Sequence, residues 1–417
     1  MPMQSTAVVI GSGIVGLCCA AFLQDAGYHV SIIDPLPPGE GASAGNPGGI
    51  SRSSIVPASS PGVLQKVPGW LLDPEGPLTM RWQHLPWMMP WLSRFIRNGT
   101  QAKAAQSMAA LATLTEYARS AYEPILRKAG SEDLIRDLGH LIVYRSQASF
   151  HAEDASWKRR QDLGVAFDVL DQSETLALEP ALDPSFSRGR MVTGNSQISD
   201  PLLLCQRLAA AITGKGGVFH RQRATDFVRS GNRIVGVKTE SVEHPATVVV
   251  VAGGAHSAKL ASRLSDRILL QPERGYNVTL TNPPFALNRP VFSTEDKLMA
   301  ASMGPGLRFA GTAEFAGFST PPNWKRAETL HTVGKRLFPA LRTDAVAEKT
   351  LWTGNRPSTP DSLPVIGPSP KWQGVFYAFG HGHIGLTTGA ITGQIIAALA
   401  QGNASPVSLQ PFRPDRF

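Results

Sequence analysis

Cysteine is scarce. Three occur in 417 residues, and two of them, Cys18 and Cys19, are adjacent; Cys205 stands alone. That excludes a disulfide framework and a cysteine-based zinc cluster, and it suits a reducing compartment. Charge is sparse too. Charged residues make up 17% of the chain against 42% hydrophobic, which excludes a coiled coil or a disordered chain. No basic run and no basic stripe interleaved with aromatics occurs, so nucleic acid is not an expected partner. No apolar run is long enough to span a bilayer. The nearest imitation, Ala7–Leu23, is cut by Gly11, Gly13 and Gly16. No Lys or Arg precedes Arg52, so this run lacks the positive flank of a secretory signal. The expected location is the cytoplasm, with a peripheral place on the inner face of the cell membrane as the alternative.

What is present is a large, mildly basic chain. Forty Lys and Arg against 32 Asp and Glu give a net charge of +8, which favours anionic partners. At roughly 100–200 residues per domain, the length implies two or three domains. The strand-like run 6–10 leads into Gly11-x-Gly13-x-x-Gly16 and a helix-like stretch to Ala26. A second buried strand, 28–33, ends at Asp34-Pro35. The same strand, glycine turn and helix pattern returns at 248–257 and at 374–399. Between these units, 273–350 alternates as an antiparallel sheet does. Uniting the three units requires an α/β fold (α+β overall). Its Rossmann-like nucleotide-binding domain is discontinuous, from 1–55, 196–262 and 350–417. A mainly antiparallel substrate domain, from 56–195 and 263–349, is inserted between those parts.

The glycine turn has a mechanical reading. The first glycine permits the tight turn, the second lets backbone approach a pyrophosphate, and the third lets helix pack on strand. The helix N-terminus then offers free N–H groups to the anion. Asp34 lies 18 residues past Gly16, at the end of the next strand, where a carboxylate accepts from a ribose diol. The loop from Gly41 to Gly49 holds Ser43, Asn46 and Gly48 among small residues whose N–H groups can line a phosphate or ring. It also matches GxSxG. A hydrolase triad of Ser43, Asp361 and His381 is the competing reading, disfavoured because no helix directly follows the loop. His381-x-His383 has the look of a metal pair, but no third ligand stands at a useful spacing and no metal is expected. The aromatic stretch 70–96 reads as a packed helical insert, with contact to a membrane surface as the alternative.

Taken together, VVIGSGIVGLCCA, WLLDPEGPLTMRW, GLRFAGTAEF, WTGNRPSTPDSLPVIGP and GHGHIGLTTGAITG resemble the FAD-dependent amino acid oxidoreductases of the D-amino acid oxidase superfamily. The resemblance extends over nearly the whole chain. Within the superfamily the chain looks most like the small subunit of D-amino acid dehydrogenase and the D-hydroxyproline dehydrogenases. GHGH with Leu386 points to the hydroxyproline branch. The resemblance implies FAD as cofactor. Gly11, Gly13, Ile14, Val15 and Gly16 would hold its pyrophosphate, and Asp34 with Pro35 its ribose. Ser43, Asn46 and Gly48 would lie along pyrophosphate and flavin. Ala224 would lie near the adenine, Ala252 and Gly253 near the ribityl chain. Gly354, Arg356, Gly382, His383, Ile384, Gly385 and Leu386 would frame the isoalloxazine. Arg308 and Tyr276 would grip the substrate carboxylate, and His383 would stand nearest the chemistry. The implied reaction is hydride transfer from Cα of a D-amino acid to flavin N5. Cis-4-hydroxy-D-proline and D-proline are the cyclic examples, and oxygen or a quinone is the final acceptor. A glycine- or sarcosine-type amine oxidase and a non-catalytic flavin electron-transfer subunit are the alternatives.

Overall fold

In the computed structural model, which describes residues 5–343 and 348–417, two large sheets organise the chain. The first has six strands. At its centre is β1 (Thr6–Ile10), flanked by β2 (His29–Ile33) and by the strand Val248–Val251. Val218–His220 extends one side, and Val375–Phe379 then Val365–Pro368 extend the other. All pairings are parallel except the last. Val8 and Val9 and the four valines 248–251 are buried, as strands covered on both faces require.

Helix α1 (Ile14–Asp25) crosses between β1 and β2, and the C-terminal helix Gly385–Ala400 packs against it. The two helices approach closely because small residues face each other. A Cβ at Gly393 would meet the Cys18 carbonyl at 2.7 Å. Both helices are apolar nearly all round, so each is buried between the sheet and other helices.

The second sheet has ten strands and is mainly antiparallel. Its longest ladder joins Gln271–Leu280 to Lys349–Ser358 over ten residue pairs, Tyr276 opposite Thr353 and Glu273 opposite Arg356. The expected boundary at 350 therefore falls inside a strand of this sheet. That ladder carries the Trp352–Arg356 segment up to the first sheet's glycine turns.

The aromatic stretch is not a packed insert throughout. Helix Leu85–Asn98 buries Met88 and Trp91, but helix Val63–Leu72 buries nothing. Leu72, Trp82 and Trp87 are 83%, 68% and 78% exposed. Among the described residues no helix is long and apolar enough to cross a membrane.

Candidate active site

One cavity of about 1490 Å³ runs from the β1–α1 turn to the second sheet. It exceeds the ~300–1,000 Å³ of an ordinary small-molecule pocket, so it has room for a long ligand together with a second, smaller one. Of the sequence-selected residues, Gly11, Gly13, Ile14, Val15, Asp34, Pro35, Ser43 and Asn46 line it. So do Ala224, Ala252, Gly253, Gly354, Arg356, Gly382, His383, Gly385 and Leu386.

The turn is built as its sequence demands. Gly11 has φ +110°, and a Cβ there would meet the Ala252 carbonyl at 2.4 Å. Gly16 does not reach the cavity. A Cβ at Gly16 would meet the Gly11 carbonyl at 2.0 Å, so it serves the packing of helix on turn. The Ile14 N–H donates to Ser43 Oγ at 3.0 Å, so the Gly41–Gly49 loop caps α1 from outside. Asp34 accepts from the Ser12 N–H at 2.7 Å and the Leu36 N–H at 2.9 Å. A carboxylate has about four acceptor positions, so two remain for a ligand. The N-termini of α1 and of the C-terminal helix both open on this cavity, and neither first turn holds an acid. Two positive helix ends on one cavity suit a ligand with two separated anionic parts.

The Gly41–Gly49 loop is pinned rather than slack. Arg308 Nη1 donates to the carbonyls of Ala44 at 2.9 Å and Asn46 at 2.8 Å, and its Nε donates to Thr279 Oγ1. Asn277 Nδ2 donates to the Gly45 carbonyl at 2.9 Å. A Cβ at Gly45 would strike the Trp352 indole, which lines the cavity. Gly48, with φ +87°, is outside the cavity and turns the chain against the Ile198 carbonyl.

Arg308 and Tyr276 are not brought into the cavity wall. Arg308 spends Nη1 on the loop and Nε on Thr279, and burial lowers its pKa. Tyr276 is fully buried. Its hydroxyl donates to Glu314 Oε2 at 2.5 Å and accepts from the Asn323 N–H. Burial, then the Glu314 carboxylate, raises its pKa. Glu314 is also bound by Arg274 and Arg81, so this cluster ties strands together rather than gripping a ligand. Ile384 is likewise buried behind the cavity, at the start of the C-terminal helix.

Where the long ladder meets the wall, the guanidinium is that of Arg356. Its Nη1 donates to Glu273 Oε1 at 2.8 Å and to the Thr312 carbonyl at 3.1 Å. Its Nε and Nη2 have no partner among the described residues. Gly275 lies beneath the fork, where a Cβ would come within 2.5 Å of Nη2.

The two histidines separate. His381 is buried, and burial pushes its pKa down to about 3. Thr392 donates its hydroxyl to the Thr388 carbonyl, so His381 Nε2–H is the donor in its 3.0 Å bond to Thr392 Oγ1. His383 is exposed into the cavity. The hydrolase triad is not assembled. Ser43 caps α1, Asp361 pairs with Arg416 and His381 faces Thr392.

Sequence reasoning missed Glu273, Trp352, His140, Thr294, Lys297 and Arg160, all of which line the cavity. Glu273 stands opposite Arg356 in the long ladder, a pairing that no local motif announces.

Comparisons with known proteins agree with this architecture. Residues 6–399 match the family model described as DAO, FAD dependent oxidoreductase. A D-amino-acid oxidase of Bradyrhizobium diazoefficiens is 38% identical, covering 100% of both chains. D-amino acid dehydrogenase 2 of Ralstonia nicotianae is 35% identical over 98% of this chain and 99% of its own. Among solved structures, glycine oxidase from Geobacillus kaustophilus superposes with a TM-score of 0.77 at 21% identity, covering 99% of this chain and 98% of its own. The chain belongs to the DAO family of FAD-dependent oxidoreductases.

Proposed function

We propose that this chain oxidises a D-amino acid at Cα to the imine, which water hydrolyses to the 2-oxo acid and ammonia. The observation that carries the reading is Arg356. A guanidinium with one edge fixed by Glu273 and Thr312 and the other edge free faces a cavity that two helix N-termini also face. FAD fits that cavity: the Gly11 and Gly13 cradle with the α1 N-terminus suits its pyrophosphate, and Asp34 suits its ribose. The C-terminal helix N-terminus suits negative charge on its ring. When bound, FAD supplies the acceptor for a hydride leaving Cα.

The protein's part is orientation. Arg356 takes the substrate carboxylate through Nε and Nη2 as a two-pronged, charge-assisted pair. Glu273 and the Thr312 carbonyl keep the fork in one plane, and Gly275 leaves it room. Trp352 and the pinned Gly41–Gly49 loop exclude water between substrate and ring. The D configuration follows the names of the two relatives cited above. A cyclic substrate such as cis-4-hydroxy-D-proline or D-proline, whose ring imine would leave as such without release of ammonia, is a narrower alternative supported by the GHGH signature.

Anaerobic mixing of the purified yellow protein with D- and L-amino acids tests the reading. Bleaching by D-amino acids and not by their L forms is expected. No bleaching by any amino acid would leave a non-catalytic flavin carrier. Recovery of colour with oxygen, compared with a quinone, distinguishes oxidase from dehydrogenase.

The exposed aromatic face gives the quinone arm a place to act. Trp82, Trp87 and Met89 are exposed, as are the nearby Arg97 and Lys103. Exposed tryptophans on a chain of net charge +8 suit an anionic bilayer surface. Holoenzyme should sediment with vesicles containing phosphatidylglycerol, and the double variant Trp82→Ala, Trp87→Ala should stay in solution. Equal sedimentation of both proteins would remove this face from the proposal.

A further inference from the structure

The cavity has a cationic end that the proposed reaction does not use. Lys66, Arg160 and Lys297 line the wall around Glu153, the carboxylate among them. One oxygen of Glu153 is engaged by neutral donors. Its Oε2 accepts from the Tyr144 hydroxyl at 2.8 Å and from Trp157 Nε1 at 3.2 Å.

Lys297 is the centre of this end. It sits in the left-handed region at φ +52°, on the short connection between the strands Val291–Ser293 and Leu298–Met303. Non-glycine residues take that conformation uncommonly. Among the described residues its ammonium has no hydrogen bond and no ion pair. Burial lowers its pKa, Glu153 opposes that, Lys66 adds to it and Glu295 opposes it. Glu295 is itself exposed and accepts from the Arg145 N–H.

Two neighbours point the same way. Thr294 lines the wall and is 7% exposed, and its buried Oγ1 has no hydrogen-bond partner among the described residues. Arg160 stacks 4.3 Å over Trp157, donates Nε to the Ser53 carbonyl and Nη1 to Ser156 Oγ, and leaves Nη2 unpartnered among the described residues. A ligand anion in the cavity would supply the partner that the Lys297 ammonium and Arg160 Nη2 lack among the described residues.

The Lys297 backbone ties this end to the segment that holds Arg356. The Lys297 carbonyl lies against Gly311, where a Cβ would meet it at 2.2 Å. The next residue, Thr312, gives its carbonyl to Arg356. One short segment thus touches both the carboxylate clamp and the lysine.

We propose that Lys297, with Thr294 and Arg160, forms a second anion subsite that selects D-amino acids bearing a side-chain carboxylate, D-aspartate and D-glutamate. The inference rests on Arg356 taking the α-carboxylate. Lys297 is then a specificity-determining residue and has no part in the hydride transfer. Acid and amide differ little in size, so the contrast between them reads charge.

The test compares D-glutamate with D-glutamine and D-aspartate with D-asparagine, by flavin bleaching of the holoenzyme at saturating FAD. A preference for the acid of at least tenfold in kcat/KM is expected. Lys297→Met should collapse the ratio of acid to amide toward one, chiefly through KM, and Lys297→Arg should restore it. Equal use of acid and amide by the native protein would overturn the subsite. So would a Lys297→Met variant that keeps the ratio. If Lys297→Met does not fold, titration of the native holoenzyme with glutarate against butyrate, read by the flavin spectrum, serves instead. Tighter binding of glutarate is expected, and equal binding overturns the proposal. If neutral D-amino acids bleach the flavin and acids hold no advantage, only the subsite fails. If no D-amino acid bleaches it, the oxidation reading fails first.

Discussion

At the scale of single residues, two arginines of the second sheet, Arg308 and Arg356, divide the work. Both lie on strands paired with Gln271–Leu280, and register decides which one faces the cavity. Arg308 stands opposite Thr279 and turns toward the Gly41–Gly49 loop. Arg356 stands opposite Glu273, at the cavity wall. Arg356→Met should therefore raise KM for the amino acid by at least tenfold while FAD content holds. Arg308→Met should do the reverse. It removes two charge-assisted bonds and leaves the Ala44 and Asn46 carbonyls without that donor, about 1.5–3 kcal/mol per bond at most. FAD content and thermal stability should fall, while the molecules that retain flavin keep their KM. Titration of FAD content beside steady-state kinetics checks both variants. A KM effect from Arg308→Met alone would reverse the assignment.

At the scale of elements, the parts that were legible in the sequence are those encoded within one short segment. The β1–α1 glycine turn, Asp34 at the end of β2 and the GHGH turn before the C-terminal helix all carry their geometry locally, so composition and spacing suffice. Ser43 was legible as a residue of a small loop, but its role as the cap on α1 depends on that loop folding back over 29 residues. Lys297 and Thr294 have no motif at all. Their value comes from helix Asp154–Asp162 and strand Leu298–Met303 meeting at one cavity. Tyr276 and Arg308 misled because a polar side chain on an alternating strand reads the same whether it faces ligand or protein. The β1–α1 unit also makes its own prediction. A Cβ at Gly16 would lie 2.0 Å from the Gly11 carbonyl, so Gly16→Ala must push α1 off the turn. Overpacking of this kind costs about 1–3 kcal/mol. The variant should melt several degrees lower and purify with little flavin. An unchanged melting temperature with full FAD content would show that α1 tolerates the shift.

At the scale of the whole molecule, the sites where the two sheets meet are also the sites where titratable groups are buried. His381 lies behind the C-terminal helix N-terminus, its pKa held down to about 3 by burial. His140 begins a strand of the second sheet, lines the cavity and donates Nε2–H to the Ser196 carbonyl. Burial brings its pKa down to about 4, against the small opposing effect of that bond. An unfolded histidine titrates near ~6.5. Below that pH the unfolded chain binds protons that the folded chain refuses, so the stability present above ~6.5 is lost as pH falls toward the folded values. The slope is at most about 1.4 kcal/mol per pH unit for each histidine. The melting temperature of the holoenzyme should therefore drop between about pH 6.5 and about pH 4.5, and His140→Gln with His381→Gln should flatten that drop. Carboxylates titrating in the same window act on both proteins alike, so the difference between the two curves isolates the histidines. Parallel curves would mean that water reaches both rings, and that the junction of the sheets is wetter than their packing implies.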